Sequence, residues 1–268
     1  MAGVFSSKKA RRNAGSAMWI AAVLCWLSVA SLLPGQTAGN TPPLLTNVSQ
    51  IRKLSSAELT AQRPVQLKAL VTYYSPLWPI LLVQDSTGGI YVELTDLPKI
   101  ASGNLIQLDA VLGPQGYLVE GKFKVLADKA PWPAPHRPTF EEFDSGKYDS
   151  QYILLTGYLY SIGNRSGHFV LELQGPQNKR FRALIPDDSI SLDQLEKWID
   201  CRLELTGVAG IEVNGLGVNT GCQLWVAEPS HIKVLEKSPA DPLVTTRKFV
   251  AEIHQFSLRN EPLRRLSV

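Results

Sequence analysis

Apolar and polar residues alternate along two stretches of the chain, which is the pattern of half-buried β-strands. In the first stretch the alternation predicts strands at residues 65–74, 80–84, 90–94, 105–112 and 117–126. In the second stretch it predicts strands at residues 152–162, 168–173, 180–185, 201–213 and 224–235. Apolar residues at helical spacing predict short helices at 51–59, from residue 140 and at 189–198. The pattern is therefore all-β with short helices.

The two stretches repeat one order of elements. Val65 and Ile153 begin the first strand of each stretch and lie 88 residues apart, which is the size of one small barrel. Five strands with a helix between the third and the fourth is the order of an OB-fold. We therefore predict two tandem OB-fold-like five-stranded β-barrels, at residues 65–135 and 136–240, after a linker and lead-in helix at 40–64.

The end of the chain starts the same pattern a third time. Phe249, Ile253 and Phe256 repeat the apolar spacing of the lead-in helix, and residues 263–268 resemble a first strand. Residues 241–268 are therefore predicted to begin an incomplete third unit. Because an isolated strand leaves its edges unpaired, we expect either further domains beyond Val268 or a protein partner that covers this strand.

The N-terminus has the order of an export signal. Four cations, Lys8, Lys9, Arg11 and Arg12, precede an almost unbroken apolar run at 17–33. Such a run is long for a signal peptide and just long enough to span a bilayer. Residues 1–39 are therefore predicted to be a signal peptide or a membrane anchor, and cleavage stays open. Either way the basic flank stays inside, so the remainder is expected in the periplasm, free or anchored.

Charge argues against a nucleic-acid partner. The net charge of +3 comes from the N-terminus, because without its four cations 23 Lys and Arg face 24 Asp and Glu. A body so nearly neutral offers little attraction to a phosphate backbone.

No residue pattern indicates catalysis or a cofactor. The four histidines are scattered, and neither they nor the three cysteines have the spacing of metal ligands. Cys201 and Cys222 are predicted to start successive antiparallel strands, at opposite ends of a hairpin, and whether they are bridged stays open. Residues 85–89 are best explained as a tight hairpin turn rather than an acidic catalytic turn. We therefore predict a protein that is not an enzyme and holds no metal.

A ligand site on an OB-fold is expected on the face of strands 2 and 3 and in the loops that join strands 1 and 2 and strands 4 and 5. In the first barrel this rule selects aromatic side chains that could stack on a ligand, namely Tyr73, Tyr74, Trp78, Tyr91 and Tyr117. The alternative is that these rings cap the barrel ends or pack between domains. Similar positions of the second barrel hold Tyr158, Tyr160, His168, Phe169 and Arg182.

Three segments, at 45–55, 70–74 and 83–92, resemble the extracytoplasmic region of certain bacterial sensor histidine kinases, and residues 149–153 and 239–242 also fit. The resemblance extends over residues 44–268. It implies barrels outside the membrane, ahead of a transmembrane helix and a cytoplasmic kinase. The sequence has no second apolar span, no phospho-accepting histidine in a helical context and no glycine-rich ATP-binding segment, so kinase activity is not implied.

The expected function is therefore a non-catalytic extracytoplasmic module of a two-component receptor that senses a ligand or a partner, as a fragment or a truncated paralogue. One alternative is a freestanding periplasmic OB-fold protein that binds an oligosaccharide, a peptide or a nucleic acid. Another is a structural adaptor whose last strand adds to a partner's sheet. The identity of the ligand and the oligomeric state stay open.

Overall fold

The computed structural model of the protein describes residues 43–213 and 219–238. The predicted signal or anchor at 1–39 and the predicted third unit at 241–268 lie outside the described residues. Within the described ranges, no helix is both long enough and apolar enough to cross a membrane.

The first barrel is closed by five strands. They are β1 (Pro64–Ser75), β2 (Ile80–Asp85), β3 (Gly88–Glu93), β4 (Leu105–Leu112) and β5 (Leu118–Ala127). Their order around the barrel is β1-β2-β3-β5-β4, and β3 and β5 pair in parallel through Val92 and Leu118. This is the topology predicted for an OB-fold, and the predicted strands match the observed ones closely.

The second barrel repeats this topology. Its strands are β6 (Tyr152–Arg165), β7 (His168–Gln174), β8 (Arg180–Pro186), β9 (Arg202–Val213), β10 (Asn219–Trp225) and β11 (Ile232–Glu236). β10 pairs in parallel with β8 and antiparallel with β9, which closes a five-stranded barrel, and β11 pairs with β9 along the same edge as β10, opposite β6. The prediction of one strand at 224–235 is wrong. A 3-10 turn at Pro229–His231 separates β10 from β11, because proline cannot donate a ladder hydrogen bond.

Four short α-helices accompany the strands among the described residues. They are α1 (Val48–Arg52), α2 (Ser56–Leu59), α3 (Phe140–Asp144) and α4 (Leu192–Glu196). The predicted helix at 51–59 is therefore two helices separated by residues 53–55. α4 lies between the third and fourth strands of the second barrel, and the Ser191 hydroxyl caps it by accepting from the Gln194 amide.

A β-bulge changes the face of the first strand in both barrels. The register shifts between Val71 and Tyr73 in β1 and between Leu159 and Ser161 in β6. A bulge inserts one residue, so side chains beyond it lie on the opposite face from the one that strict alternation predicts. Val71 accordingly packs in the core of the first barrel, whereas Tyr73 lies on the outer surface. The two bulges are again 88 residues apart.

Each barrel encloses its own hydrophobic core. Fully buried leucine and isoleucine side chains dominate the first, including Leu67, Leu81, Ile106, Leu108, Leu112 and Leu118. The second core contains Phe143, Ile153, Leu159, Leu171 and Leu173. Burial of each side chain of this size stabilises its barrel by about 1.5–3 kcal/mol. Because the two sets of core residues share no member, each barrel is packed around its own core.

Candidate functional site

A third apolar cluster, the junction cluster, lies between the two barrels. It consists of buried side chains from both, namely Tyr73, Leu82, Tyr152, Leu184, Val208 and Trp225. Tyr73 and Leu82 belong to β1 and β2, and the other four belong to strands of the second barrel. The outer face of β2 and β3, which is the usual ligand face of an OB-fold, is therefore covered by the second barrel.

Backbone contacts fix the two barrels against each other at the edge of the junction cluster. A Cβ atom added to Gly89 in β3 would lie 1.7 Å from the carbonyl oxygen of Ser150. Arg52 at the end of α1 donates from Nη2 to the carbonyl of Gly89 at 2.6 Å and to that of Asp149 at 2.9 Å. Gln84 accepts from the Tyr152 amide at 2.8 Å. These contacts require glycine at position 89.

Three of the predicted ligand-binding aromatic residues, Tyr73, Trp78 and Tyr91, lie in or against the junction cluster. Tyr73 has no exposed surface, and its hydroxyl lies 2.8 Å from Nε2 of His168. Its ring centre lies 5.1 Å from that of Trp225. Burial strongly raises the pKa of the Tyr73 hydroxyl. Tyr73 is thus a packing residue between the barrels in this arrangement, and a ligand could reach it only if the barrels separated.

Trp78 reaches the second barrel from the β1–β2 loop. Its ring centre lies 4.7 Å from that of His168 and 5.5 Å from that of Trp225, the latter edge to face. The guanidinium of Arg165 lies over the indole, 5.2 Å from the ring centre. Such a cation–π contact at an exposed site stabilises by about 0.5–1 kcal/mol. Trp78 therefore connects the β1–β2 loop of the first barrel with the β6–β7 turn of the second barrel through these contacts.

The other three predicted site residues are Tyr74, Tyr91 and Tyr117, and two of them, Tyr74 and Tyr117, lie outside the junction cluster. Tyr74 points into the first barrel, and its hydroxyl donates to the Pro98 carbonyl at 3.1 Å. Tyr91 and Tyr117 form an edge-to-face pair with ring centres 5.9 Å apart, and Tyr91 also packs against the junction cluster. The five predicted residues therefore form no single aromatic surface, and several of them cap a barrel or pack between barrels, as the alternative interpretation expects.

The corresponding outer face of the second barrel carries charged side chains that reach solvent. Arg182 of β8 donates to one carboxylate oxygen of Glu212 on β9, and Arg165 of β6 donates to the other oxygen at 3.3 Å. The side chains of Arg182 and Arg165 are 38% and 56% exposed, whereas that of Glu212 is 19% exposed. Two guanidinium groups from different strands thus converge on a single carboxylate.

Aromatic and polar groups extend this face along β6, β7 and β8. The Tyr160 hydroxyl donates to Glu172 at 3.0 Å, and the guanidinium of Arg180 lies 5.2 Å from the Tyr160 ring centre. Burial, with the neighbouring Glu172 carboxylate, raises the pKa of the Tyr160 hydroxyl. Gln223 is 6% exposed and pairs in register with Arg182, and its side-chain oxygen has no hydrogen-bond partner. We call this surface, with Arg182, Arg165 and Glu212, the charged face.

Sequence reasoning selected Tyr160 and Arg182 of this surface but missed Arg165 and Glu212. The local sequence around Arg165 and Glu212 does not mark either residue, because their contact depends on how distant strands pair. Phe169, which was selected with them, packs against the second core, and the Tyr158 hydroxyl donates to Glu236 at 3.0 Å.

A shallow cleft lies at the opposite end of β6 from the Arg165 side chain. Its volume is about 280 Å³, and its lining comprises Thr156, Gly157, Tyr158, Gln174, Gly175, Pro176 and Arg202. Among the described residues, no group of three or more His, Cys, Asp or Glu side chains is placed to hold a metal ion. Cys201 and Cys222 are both free thiols.

Comparison with known proteins finds no family for this chain and only distantly similar solved structures. No protein-family model matches the chain, and no curated protein matches it. The chain is similar to asparaginyl-tRNA synthetase from Pyrococcus horikoshii, with 13% identity over 41% of this chain and 24% of that chain and a TM-score of 0.30. The enzyme of the same name from Entamoeba histolytica shows 18% identity over 41% and 25%, with a TM-score of 0.31.

A third similar structure is the OBody AM3L09 bound to hen egg-white lysozyme. Its identity to this chain is 9%, the match covers 39% of this chain and 100% of the OBody, and the TM-score is 0.30. The matched region spans only about a quarter of the two synthetases. At this level of similarity these structures carry no argument about function.

Proposed function

We propose that this chain is a non-catalytic extracytoplasmic binding module and that the charged face of its second barrel recognises the ligand. One observation carries the proposal. The OB face of the first barrel is buried in the junction, whereas only part of the equivalent face of the second barrel is, through Leu184 and Val170. The rest of that face presents Arg182 and Arg165 to solvent. Guanidinium groups on a rigid sheet bind planar anions such as carboxylates through paired hydrogen bonds.

The ligand class that suits this surface is a peptide or protein segment that carries carboxylates. Glu212 holds both guanidinium groups in the absence of such a group, and a ligand carboxylate could replace it with the same geometry. The Tyr160 ring, with Arg180 beside it, offers an adjacent flat surface for an apolar or aromatic side chain. The low net charge of the exported part supports a peptide over a nucleic acid.

The finer proposal is that the module is the input region of a two-component receptor. Its support is the resemblance of segments 45–55, 70–74 and 83–92 to the extracytoplasmic region of sensor histidine kinases. In such a role, occupation of the charged face would alter how the second barrel holds the first.

Titration of the isotope-labelled chain with a hexaglutamate peptide, followed by NMR chemical shifts, tests the binding proposal. We expect shifts in β7, β8 and β10, and a loss of affinity of about tenfold in Arg182→Gln, because one charged hydrogen-bonded pair contributes about 1.5 kcal/mol. The matched control is Arg137→Gln, since the Arg137 side chain is 70% exposed and lies away from this surface beside Glu204. Shifts confined to the first barrel, or equal affinities for both variants, would refute the proposal.

A further inference from the structure

Two histidines, His168, which is buried, and His231, which is partly buried, lie at the junction of the barrels. His168 has no exposed surface and lies against Tyr73, Trp78 and Trp225. His231 lies beside Trp132 of the inter-barrel linker, with ring centres 4.4 Å apart, and beside Tyr152, at 5.7 Å. Trp132 itself packs against the junction cluster. Both imidazoles therefore contribute to the contact between the first barrel, the linker and the second barrel.

The surroundings of His168 fit its neutral form. Nδ1 lies 3.4 Å from the carbonyl oxygen of Ser166, which can only accept, so Nδ1 carries the hydrogen. Nε2, at 2.8 Å, then accepts from the Tyr73 hydroxyl. A second proton on Nε2 would force the hydroxyl hydrogen of Tyr73 away and place a charge in an aromatic cluster.

The charged groups near His168 differ in sign and therefore have opposite effects on its protonation. The Arg165 guanidinium lies over the Trp78 ring, 5.2 Å from its centre. Asp187 and Asp188 favour the protonated ring, as does the Ser166 carbonyl, but burial outweighs them and lowers the pKa of His168. Tyr73 and Trp225, which face the ring from β1 and β10, carry no charge.

His231 is also set up for its neutral form. Nε2 lies 3.4 Å from a carboxylate oxygen of Glu228, whereas Nδ1 is buried and has no hydrogen-bond partner. Protonation would add an N–H at Nδ1 that has no acceptor, which is costly in a buried site. Burial lowers the pKa of His231, and the Glu228 carboxylate only partly opposes this.

We infer that the junction is a proton-operated latch: protonation of His168 and His231 releases the second barrel from the aromatic face of the first. The inference does not depend on the charged face or on its ligand. It gives the chain a second input, the acidity of its surroundings.

The direction of the pH dependence follows from linkage. Separated barrels expose both rings, which regain the ordinary histidine pKa of 6.5, so the separated state binds more protons than the closed state. The closed junction is therefore fully stable above that value. The contribution of the two histidines to its stability falls as the pH drops below 6.5 and is fully lost below the lowered pKa values of the closed state.

The test is a titration of the full chain from about pH 7.5 to about pH 4.5, the range in which histidines change charge. Small-angle X-ray scattering measures the separation of the barrels, and far-UV circular dichroism monitors whether each stays folded. We expect the radius of gyration to rise and tryptophan emission to shift to the red at constant circular dichroism. The His168→Gln/His231→Gln double variant should stay closed throughout. The exposed His136 provides the control, because His136→Gln should open like the unmodified chain.

Two results would overturn the inference. One is a radius of gyration that stays constant over the whole range in the unmodified chain. The other is opening of the double variant at the same pH as the unmodified chain. If the double variant does not fold, NMR titration of the histidine Cε1 protons in the unmodified chain decides: titration of His168 near its ordinary pKa of 6.5 without any opening contradicts the latch.

Discussion

At the scale of single residues, Gly89 shows how closely the barrels meet. Its backbone is extended, so any residue could adopt its conformation, and the requirement for glycine comes from space alone. The Ser150 carbonyl oxygen occupies the position that a side chain would take. Nothing in the sequence around residues 85–89 distinguishes this glycine from Gly88, which the hairpin turn requires for its positive φ.

Replacing Gly89 by alanine should therefore weaken the junction. We expect Gly89→Ala to lower the free energy of unfolding by about 1–3 kcal/mol, the usual cost of overpacking, as measured by urea denaturation. Gly163→Ala in β6 is the control, because the nearest atom to an added Cβ there is 3.9 Å away. An equal decrease in the free energy of unfolding in the two variants would mean that the contact with Ser150 is relieved without an energetic cost.

At the scale of elements, the sequence predicted the strands well but not the faces that their side chains occupy. Alternation at 65–74 identifies β1, yet the bulge beyond Val71 turns Tyr73 outward and Tyr74 inward. Local patterning contains no sign of a bulge, since the inserted residue is visible only when the partner strand is known. Tyr73 and Tyr74, which were predicted to belong to one aromatic site, are therefore divided between the junction and the inside of the barrel.

The helix α3 is an element whose sequence signal and structure agree. Thr139 accepts from the Glu142 amide at 3.2 Å, and Glu142 accepts from the Thr139 amide at 3.0 Å, which is a capping box. The helix places Phe143 in the second core. We expect Thr139→Ala to cost about 1 kcal/mol in urea denaturation. Thr139→Ser keeps the hydroxyl and should unfold like the unmodified chain; a comparable loss in that variant would exclude the cap as the cause.

At the scale of the whole molecule, the arrangement of the barrels could not be predicted from the sequence. The repeat of 88 residues predicts two barrels, but Arg52 and Trp132 bind to the opposite barrel across long stretches of chain. Such contacts depend on the final packing of two bodies. The pairing of Arg165 and Arg182 with Glu212 depends in the same way on strand order, which explains why the charged face was only partly predicted.

The covered face has a consequence for the first barrel by itself. Residues 43–135 alone would expose Tyr73, Leu82 and neighbouring apolar side chains, and a contiguous apolar patch promotes association. We expect this fragment to self-associate in analytical ultracentrifugation, and the same fragment with Leu82→Glu to associate less, because Leu82 lies outside the barrel core. A monomeric fragment at all concentrations would show that the junction surface is not adhesive.

The closed junction also determines which positions are free to diverge during evolution. A change at Gly89, Tyr73 or Trp225 alters the fit between two barrels, so it is tolerated only when the opposite surface changes with it. The side chains of Arg165, Arg182 and Glu212 pair with one another at the surface of the second barrel, so these positions can follow a change of ligand. A chain built in this way can acquire new specificities on one barrel while the other preserves the architecture.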